Sequence, residues 1–392
     1  MSGEKGVSRR AALRGAIGTA ALAAGAVSLP AQRRGDDPYP EPIAGYLKRL
    51  YSRDQQPFAF RDNYPGGFSQ WQRDARAQLR LRLGLDKIAV AAGKHRPAIE
   101  LGEAVDMGEY TRQKGVIETE PEVRMPFWLL KPKGKGPFPL GIFPHGHSET
   151  GHDTTAGVFA SEEARKRALA EDRDVAVQAV RLGWVAIAPT VRGLSAGTVP
   201  DLHERHGGRG CRSHVIHCLL AGRTAMGERV WDMSRILDWA VKLPDVNARH
   251  ILCMGNSGGG MVTIFAAACD ERITIAVPSC SFSPTVSETG FVYHCDCNVV
   301  PGLMEVGGLH HVAGLVAPRH LLSVNGRKDR LHSIKAVEFA AAEVRKIYEA
   351  AGHPQRYEHR WGAEGHRFYK DLMWPFIQAA MAAAGKTGAG SV

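Results

Sequence analysis

A serine hydroxyl does little chemistry until the backbone presents it and a base takes its proton. The chain of 392 residues places one serine in Gly255-Asn256-Ser257-Gly258-Gly259, a G-x-S-x-G pattern. It directly follows an apolar run, Ile251 to Met254, and precedes a small-residue segment, Met261 to Ala268. Strand, sharp turn and helix in that order lift the hydroxyl clear of a sheet, and the flanking glycines avoid clashes that side chains would make there. The following helix points the positive end of its dipole at the same place. The competing reading is a glycine-rich turn that only packs helix on strand.

The base must be held in one tautomer by an acid. Behind an elbow of this kind the acid comes next in the chain and the histidine last. Asp329 lies in Asn325-Gly326-Arg327-Lys328-Asp329, just after the apolar run Leu321 to Val324. His366 lies in Glu364-Gly365-His366, after an expected last strand, Arg356 to Trp361. Asp329 could instead be a turn residue or pair with Arg327 or Arg330, Glu364 could replace it, and His366 could cap a helix or lie on the surface. His332, His353 and His359 compete, but none joins a loop position to the right place in the order. A tetrahedral intermediate also needs N–H donors for its oxyanion. Gly258 is one, and the loop Pro144-His145-Gly146-His147, after the early strand Leu140 to Phe143, is placed to supply another.

Two metal readings stand beside this one: His145, His147, His152 and Asp153, and separately His294-Cys295-Asp296-Cys297. The reading adopted assigns no metal and no cofactor. Arg192-Gly193, after the apolar run Val185 to Ala188, either lines the site or shapes a turn.

The elements that must carry these residues follow from periodicity. A helix is expected over Ser69 to Leu83, with Trp71, Ala75, Leu79 and Leu83 on one face and a capping box of Ser69 and Gln72. Antiparallel strands are expected at Arg112 to Thr119 and Val123 to Leu130. Beyond them, short apolar strands (140–143, 185–188, 251–254, 273–277, 321–324) alternate with helical stretches. Two of those helices carry core stripes, one of Val230, Met233, Leu237 and Ala240, the other of Ala336, Phe339, Ala340, Val344 and Ile347. The pattern predicts an α/β fold with a mainly parallel central sheet flanked by helices and an N-terminal helical extension. The expected division is a signal segment at 1–31, a linker at 32–42, the extension at 43–100, the catalytic domain at 101–385 and a frayed tail at 386–392.

Hydrophobic content of 44% and charged content of 23% describe a globular chain. The formal charge of +10 is scattered without basic runs alternating with aromatics, so no nucleic-acid partner is expected. Four basic residues against one acid give residues 1–31 a net +3, leaving +7 on the rest. Ser8-Arg9-Arg10 before the mildly apolar stretch Gly15 to Val27 looks like a twin-arginine export signal, which implies a periplasmic or secreted protein handled by that export machinery. An uncleaved signal would leave it membrane-anchored. Seven cysteines at irregular spacing do not form a disulfide scaffold.

Taken together, these positions resemble bacterial acetyl-xylan-esterase-like and dienelactone-hydrolase-like members of the α/β-hydrolase superfamily. The likeness covers most of residues 69–378. It includes Trp71-Gln72, Tyr110 to Lys131, His145-Gly146-His147, Gly222-Arg223-Thr224 through Trp231-Asp232, the elbow, Ala317-Pro318-Arg319, and Glu364-Gly365-His366-Arg367-Phe368-Tyr369. It implies the α/β-hydrolase fold and cofactor-free hydrolysis of carboxylic, in particular acetyl, esters on small molecules or polysaccharides. Ser257, Asp329 and His366 would form the triad, and the N–H groups of Gly258 and His147 the oxyanion hole. Ser148, where relatives often have glycine, and the basic loop Asn325 to Arg330 depart from the pattern and bear on the substrate. Two other readings are a serine peptidase of the prolyl-oligopeptidase type, for which no propeller-like repeat is present, and a non-catalytic ligand-binding protein on the same scaffold.

Overall fold

The computed structural model describes residues 40, 42–195, 199–287, 290–291 and 294–387, so the expected signal and nearly all of the linker lie outside the described residues. Three helices open the described chain: α1 (Ile43–Leu50), α2 (Gly67–Leu83) and α3 (Leu85–Ala92). Four strands follow, β1 (Ala98–Asp106), β2 (Tyr110–Glu120), β3 (Val123–Pro132) and β4 (Phe138–Ile142). Next come α4 (Gly151–Thr155), α5 (Glu162–Ala170), α6 (Val175–Arg181), β5 (Val185–Pro189), α7 (Gly210–Leu220) and α8 (Ala225–Ala240). The strand β6 (Val246–Asn256) leads into α9 (Gly258–Cys269), β7 (Ile275–Ser279) and a two-stranded pair, β8 (Val286–Ser287) with β9 (Gly290–Phe291). The described chain ends with α10 (Leu309–Gly314), β10 (His320–Gly326), α11 (Ile334–Ala350), β11 (Tyr357–Gly362) and α12 (Lys370–Thr387).

Nine strands form one sheet in the order β1-β2-β3-β5-β4-β6-β7-β10-β11. The first three are joined antiparallel and β3 runs antiparallel to β5, while β5, β4, β6, β7, β10 and β11 are mutually parallel. The parallel strands are buried on both faces, which is why they read as unbroken apolar runs. One core joins α2, α3, α8, α9 and α11 to one face of the sheet, and the other joins α6 and α12 to the opposite face.

The helical extension shares the first of these cores. Trp71, Ala75, Leu79 and Leu83 are fully buried, in one cluster with Val230, Met233 and Leu237 of α8. The expected capping box does not form: α2 starts two residues earlier, after Gly66 in the left-handed conformation. Gln72 instead donates to the carbonyl oxygens of Leu315 and Ala317, tying α2 to the segment before β10. The last helix continues to Thr387, into the segment whose composition reads as a tail beginning at 386.

The stripe expected on α11 is displaced by one side chain. Val337, Ala340, Val344 and Ile347 are buried, whereas Phe339 is 52% exposed and rests its ring edge on His310 at 5.6 Å. His310 and His311 of α10 are themselves buried, their rings 4.3 Å apart. Burial holds His310 down at about 3 and His311 well below its ordinary value, while His332, also buried, is held down at about 4. Unfolded histidines take up a proton near pH 6.5. Between that pH and about 4 the unfolded state therefore binds more protons than the folded one, and folding stability falls with pH. We expect the unfolding free energy to be intact above pH 6.5 and to drop by several kcal/mol, order of magnitude, between pH 6.5 and 4.5. Urea unfolding midpoints across that range test this; a flat profile would show that the three rings gain protons in place.

Candidate active site

Ser257 sits between β6 and α9 with φ 57° and ψ −123°, a positive-φ conformation that is rare outside glycine. Two anchors hold it there. The Ser257 N–H donates to the Ser279 carbonyl of β7 at 2.8 Å, and the Ser257 carbonyl accepts from Met261 N–H at 3.0 Å. The glycines around it are spatial requirements. A Cβ on Gly259 would lie 2.0 Å from the Pro144 carbonyl oxygen, and one on Gly255 would lie 2.4 Å from the Gly259 backbone. The loop after β4 thus crosses directly over the elbow, and a Cβ on Gly146 would approach Ser257 Cβ to 3.2 Å.

Asp329 and His366 meet from two different loops, with Nδ1 of His366 2.7 Å from Oδ2 of Asp329. Burial pushes the Asp329 carboxyl up, but the His366 ring and the Leu331 N–H, 3.0 Å away, outweigh it and hold the group below its ordinary value. Glu364 is taken by Lys328 at 2.9 Å and is largely exposed. His359 contacts Asn325. The His366 loop is pinned beside the elbow: the Arg367 carbonyl accepts from Asn256 Nδ2 at 3.2 Å, Ser279 Oγ at 3.0 Å and Cys280 Sγ at 3.3 Å. Arg173 donates to the His366 carbonyl at 3.2 Å. Asn256, the variable residue before the serine, therefore couples the elbow to the histidine loop.

An open cavity of about 580 Å³ exposes Ser257, Gly258 and His147 together. Its wall also includes Arg209, Cys211, Cys280, His294 and His332. Among the described residues, neither the Gly258 N–H nor the His147 N–H has a hydrogen-bond acceptor. Both stand at the mouth of α9, whose dipole favours negative charge there. The sequence singled out neither Arg209 nor Cys211, since α7, which carries Cys211 in its first turn, shows no apolar periodicity.

The metal readings separate. His145 is saturated, its Nδ1 2.6 Å from the Gly146 carbonyl and its Nε2 accepting from Val191 N–H at 3.1 Å. Asp153 accepts from Trp128 at 2.7 Å. His294 bonds Ser283 at 3.1 Å, whereas Cys295 and Cys297 lie beside Cys211 and the His147 ring.

The choice at Arg192-Gly193 also resolves. Gly193 lines the cavity, while Arg192 points away into a buried charge cluster. Its guanidinium contacts Asp232 with two nitrogens, Glu120 at 2.8 Å and Glu228 at 3.0 Å; Glu228 also takes His214 at 2.7 Å and Arg223 at 3.1 Å. This cluster ties β2 to α8 behind the cavity wall.

No protein-family model matches the chain. Over 272 residues it is 26% identical to the candidate hydrolase YtaP of Bacillus subtilis (strain 168), covering 65% of this chain and 84% of that protein. Among solved structures it is similar to the methylesterase BT1017, with a TM-score of 0.62 at 21% identity over 87% of this chain and 67% of that one. It is also similar to a candidate acetyl xylan esterase of Bacteroides fragilis NCTC 9343, with a TM-score of 0.66 at 15% identity, covering 87% and 95%. A CE15 glucuronoyl esterase from Teredinibacter turnerae T7901 gives a TM-score of 0.59 at 18% identity, covering 81% and 86%.

The fold is that of the α/β-hydrolases. In the α/β-hydrolase frame the elbow lies at the C-terminal edge of the parallel strands, where open sheets of this class bind ligands.

Removing the Arg192 side chain would leave Asp232 buried without its cationic partner. Arg192→Ala is expected to cost about 3–5 kcal/mol in stability. Chemical denaturation of the variant checks this, and a loss below about 1 kcal/mol would mean that the cluster contributes little to the wall.

Proposed function

We propose that the protein is an exported serine carboxylesterase acting on carboxylic esters of polysaccharides, acetyl esters foremost. The observation that carries the reading is the strained Ser257, sharing one cavity with the Gly258 and His147 N–H groups, which have no acceptor among the described residues, and tied through Asn256 to the loop of a hydrogen-bonded His366–Asp329 pair. Neighbours named for acetyl xylan, glucuronoyl and methyl ester hydrolysis support the ester and carbohydrate parts. Export rests on the sequence of residues 1–31 alone. Among the described residues no helix is long and apolar enough to cross a membrane.

In this mechanism His366 takes the proton of Ser257 as its Oγ attacks the ester carbonyl carbon. Asp329 fixes the imidazole tautomer and offsets the charge that forms on the ring. The Gly258 and His147 N–H groups receive the oxyanion. Collapse breaks the bond to the alcohol, which leaves with the proton from His366 and an acyl group on Ser257. Water, deprotonated by the same histidine, then releases the acid and restores the serine.

Ser257→Ala is expected to lower kcat on p-nitrophenyl acetate by about 10⁴ to 10⁶, and Asp329→Asn by about 10⁴, with KM little changed. Acetate release from acetylated xylan then tests the polymer. Equal rates in the native and Ser257→Ala proteins would overturn the nucleophile assignment. No turnover of any short ester would leave a peptidase or a binding protein as the better reading.

A further inference from the structure

The cavity wall, with Cys297 buried just behind it, holds four soft or borderline donor atoms that the proposed ester chemistry does not use. Nε2 of His147 and the sulfurs of Cys211, Cys295 and Cys297 all lie within 4.8 Å of one another. They come from three separate segments: the loop after β4, the first turn of α7, and the 3-10 turn Asp296–Asn298 with the residue before it. Cys295 and Cys297 Sγ are 3.5 Å apart, Cys211 and Cys295 Sγ 3.9 Å, and Cys297 Sγ and His147 Nε2 3.3 Å.

Those spacings fit a tetrahedral ion. Ligands at Zn–S of about 2.3 Å and Zn–N of about 2.0–2.1 Å lie about 3.8 Å apart for sulfur pairs and about 3.5 Å for sulfur and nitrogen. The three resolved edges fall within about 0.3 Å of those values. A disulfide needs sulfurs about 2.05 Å apart, and three thiols around one imidazole cannot all pair.

A second observation is independent of the donors. Arg229 is fully buried on α8 and has no carboxylate partner among the described residues. Its Nη1 donates to the Cys297 carbonyl and to Asn298 Oδ1, each at 3.1 Å, and its Nη2 has no partner among the described residues. A buried guanidinium without a counter-charge is costly. A zinc ion with three thiolates and a neutral imidazole carries a net charge of −1, which supplies that counter-charge against the Cys297 loop.

We propose that His147, Cys211, Cys295 and Cys297 bind one structural zinc ion that staples three segments of the cavity wall together. With four protein ligands the site is closed, and its task is structural rather than Lewis-acid chemistry on the substrate. Because the His147 ring is a ligand, the ion also fixes the backbone that presents the His147 N–H to the oxyanion; this positioning role alone rests on the esterase reading. Binding forms three Zn–S bonds and one Zn–N bond, releases to solvent the proton of each thiol that carries one and any proton on His147 Nε2, and involves no redox change.

The test is metal analysis of the full chain purified under reducing conditions, followed by exchange into cobalt(II). About one zinc per chain is expected, with the intense visible bands of tetrahedral cobalt–thiolate coordination after exchange. Cys211→Ser and Cys297→Ser should each retain less than about a tenth of that zinc, while Cys269→Ser, at the far end of α9, should retain all of it. Should the ligand variants fail to fold, the wild-type cobalt spectrum decides alone. Wild-type protein that takes up neither metal overturns the site, as do ligand variants that keep their zinc, or a disulfide among these cysteines in the isolated protein. Metal content does not depend on turnover, so this outcome is separable from failure of the esterase reading.

Discussion

The close crossing of the loop after β4 over the glycines of the elbow is the constraint that the rest of the site depends on. Pro144 comes so near Gly259, and Gly146 so near Ser257, that a single Cβ at Gly259 would sit 2.0 Å from a carbonyl oxygen. That approach sets the strained serine, the start of α9 and the backbone N–H of His147 in one place. Strain at Ser257 persists because β7 holds its N–H and α9 its carbonyl. The histidine loop is referenced to the same point through Asn256, so the candidate nucleophile and base share one anchor.

Much of this was legible in the residues because it is local. Parallel strands buried on both faces write themselves as apolar runs, and the elbow writes itself as glycines around a serine. What escaped was either solvated or non-local. Strand β1 is exposed along almost its whole length, so it carries no alternating pattern to read. The start of α2 is set by a left-handed Gly66 and by packing on the segment before β10, while the Ser69 and Gln72 pattern that mimics a capping box is unused. Phe339 matched a core period but lies one position off the buried face, next to His310. Cys211 meets Cys295 across 84 residues of chain, a pairing that no local spacing encodes.

The chemistry of the wall is as organised as that of the elbow. Behind it, Arg192 and Arg223 are shared among three carboxylates and tie β2 to α8. Within it, Arg229 fixes the Cys297 loop, and the His147 ring turns toward the cysteines while its backbone faces the cavity. One residue thereby links the cysteine-bearing wall to the loop that crosses the elbow. The cavity is open, and Arg209 and Glu149 are among the charged residues that line it.

Covalent labelling shows whether Ser257 is an activated nucleophile. Treatment with a fluorophosphonate followed by peptide mass spectrometry should find one adduct per chain, on Ser257, and much slower labelling in His366→Ala. Labelling elsewhere, or none under conditions that modify a known serine esterase, would mean that Ser257 is not the nucleophile.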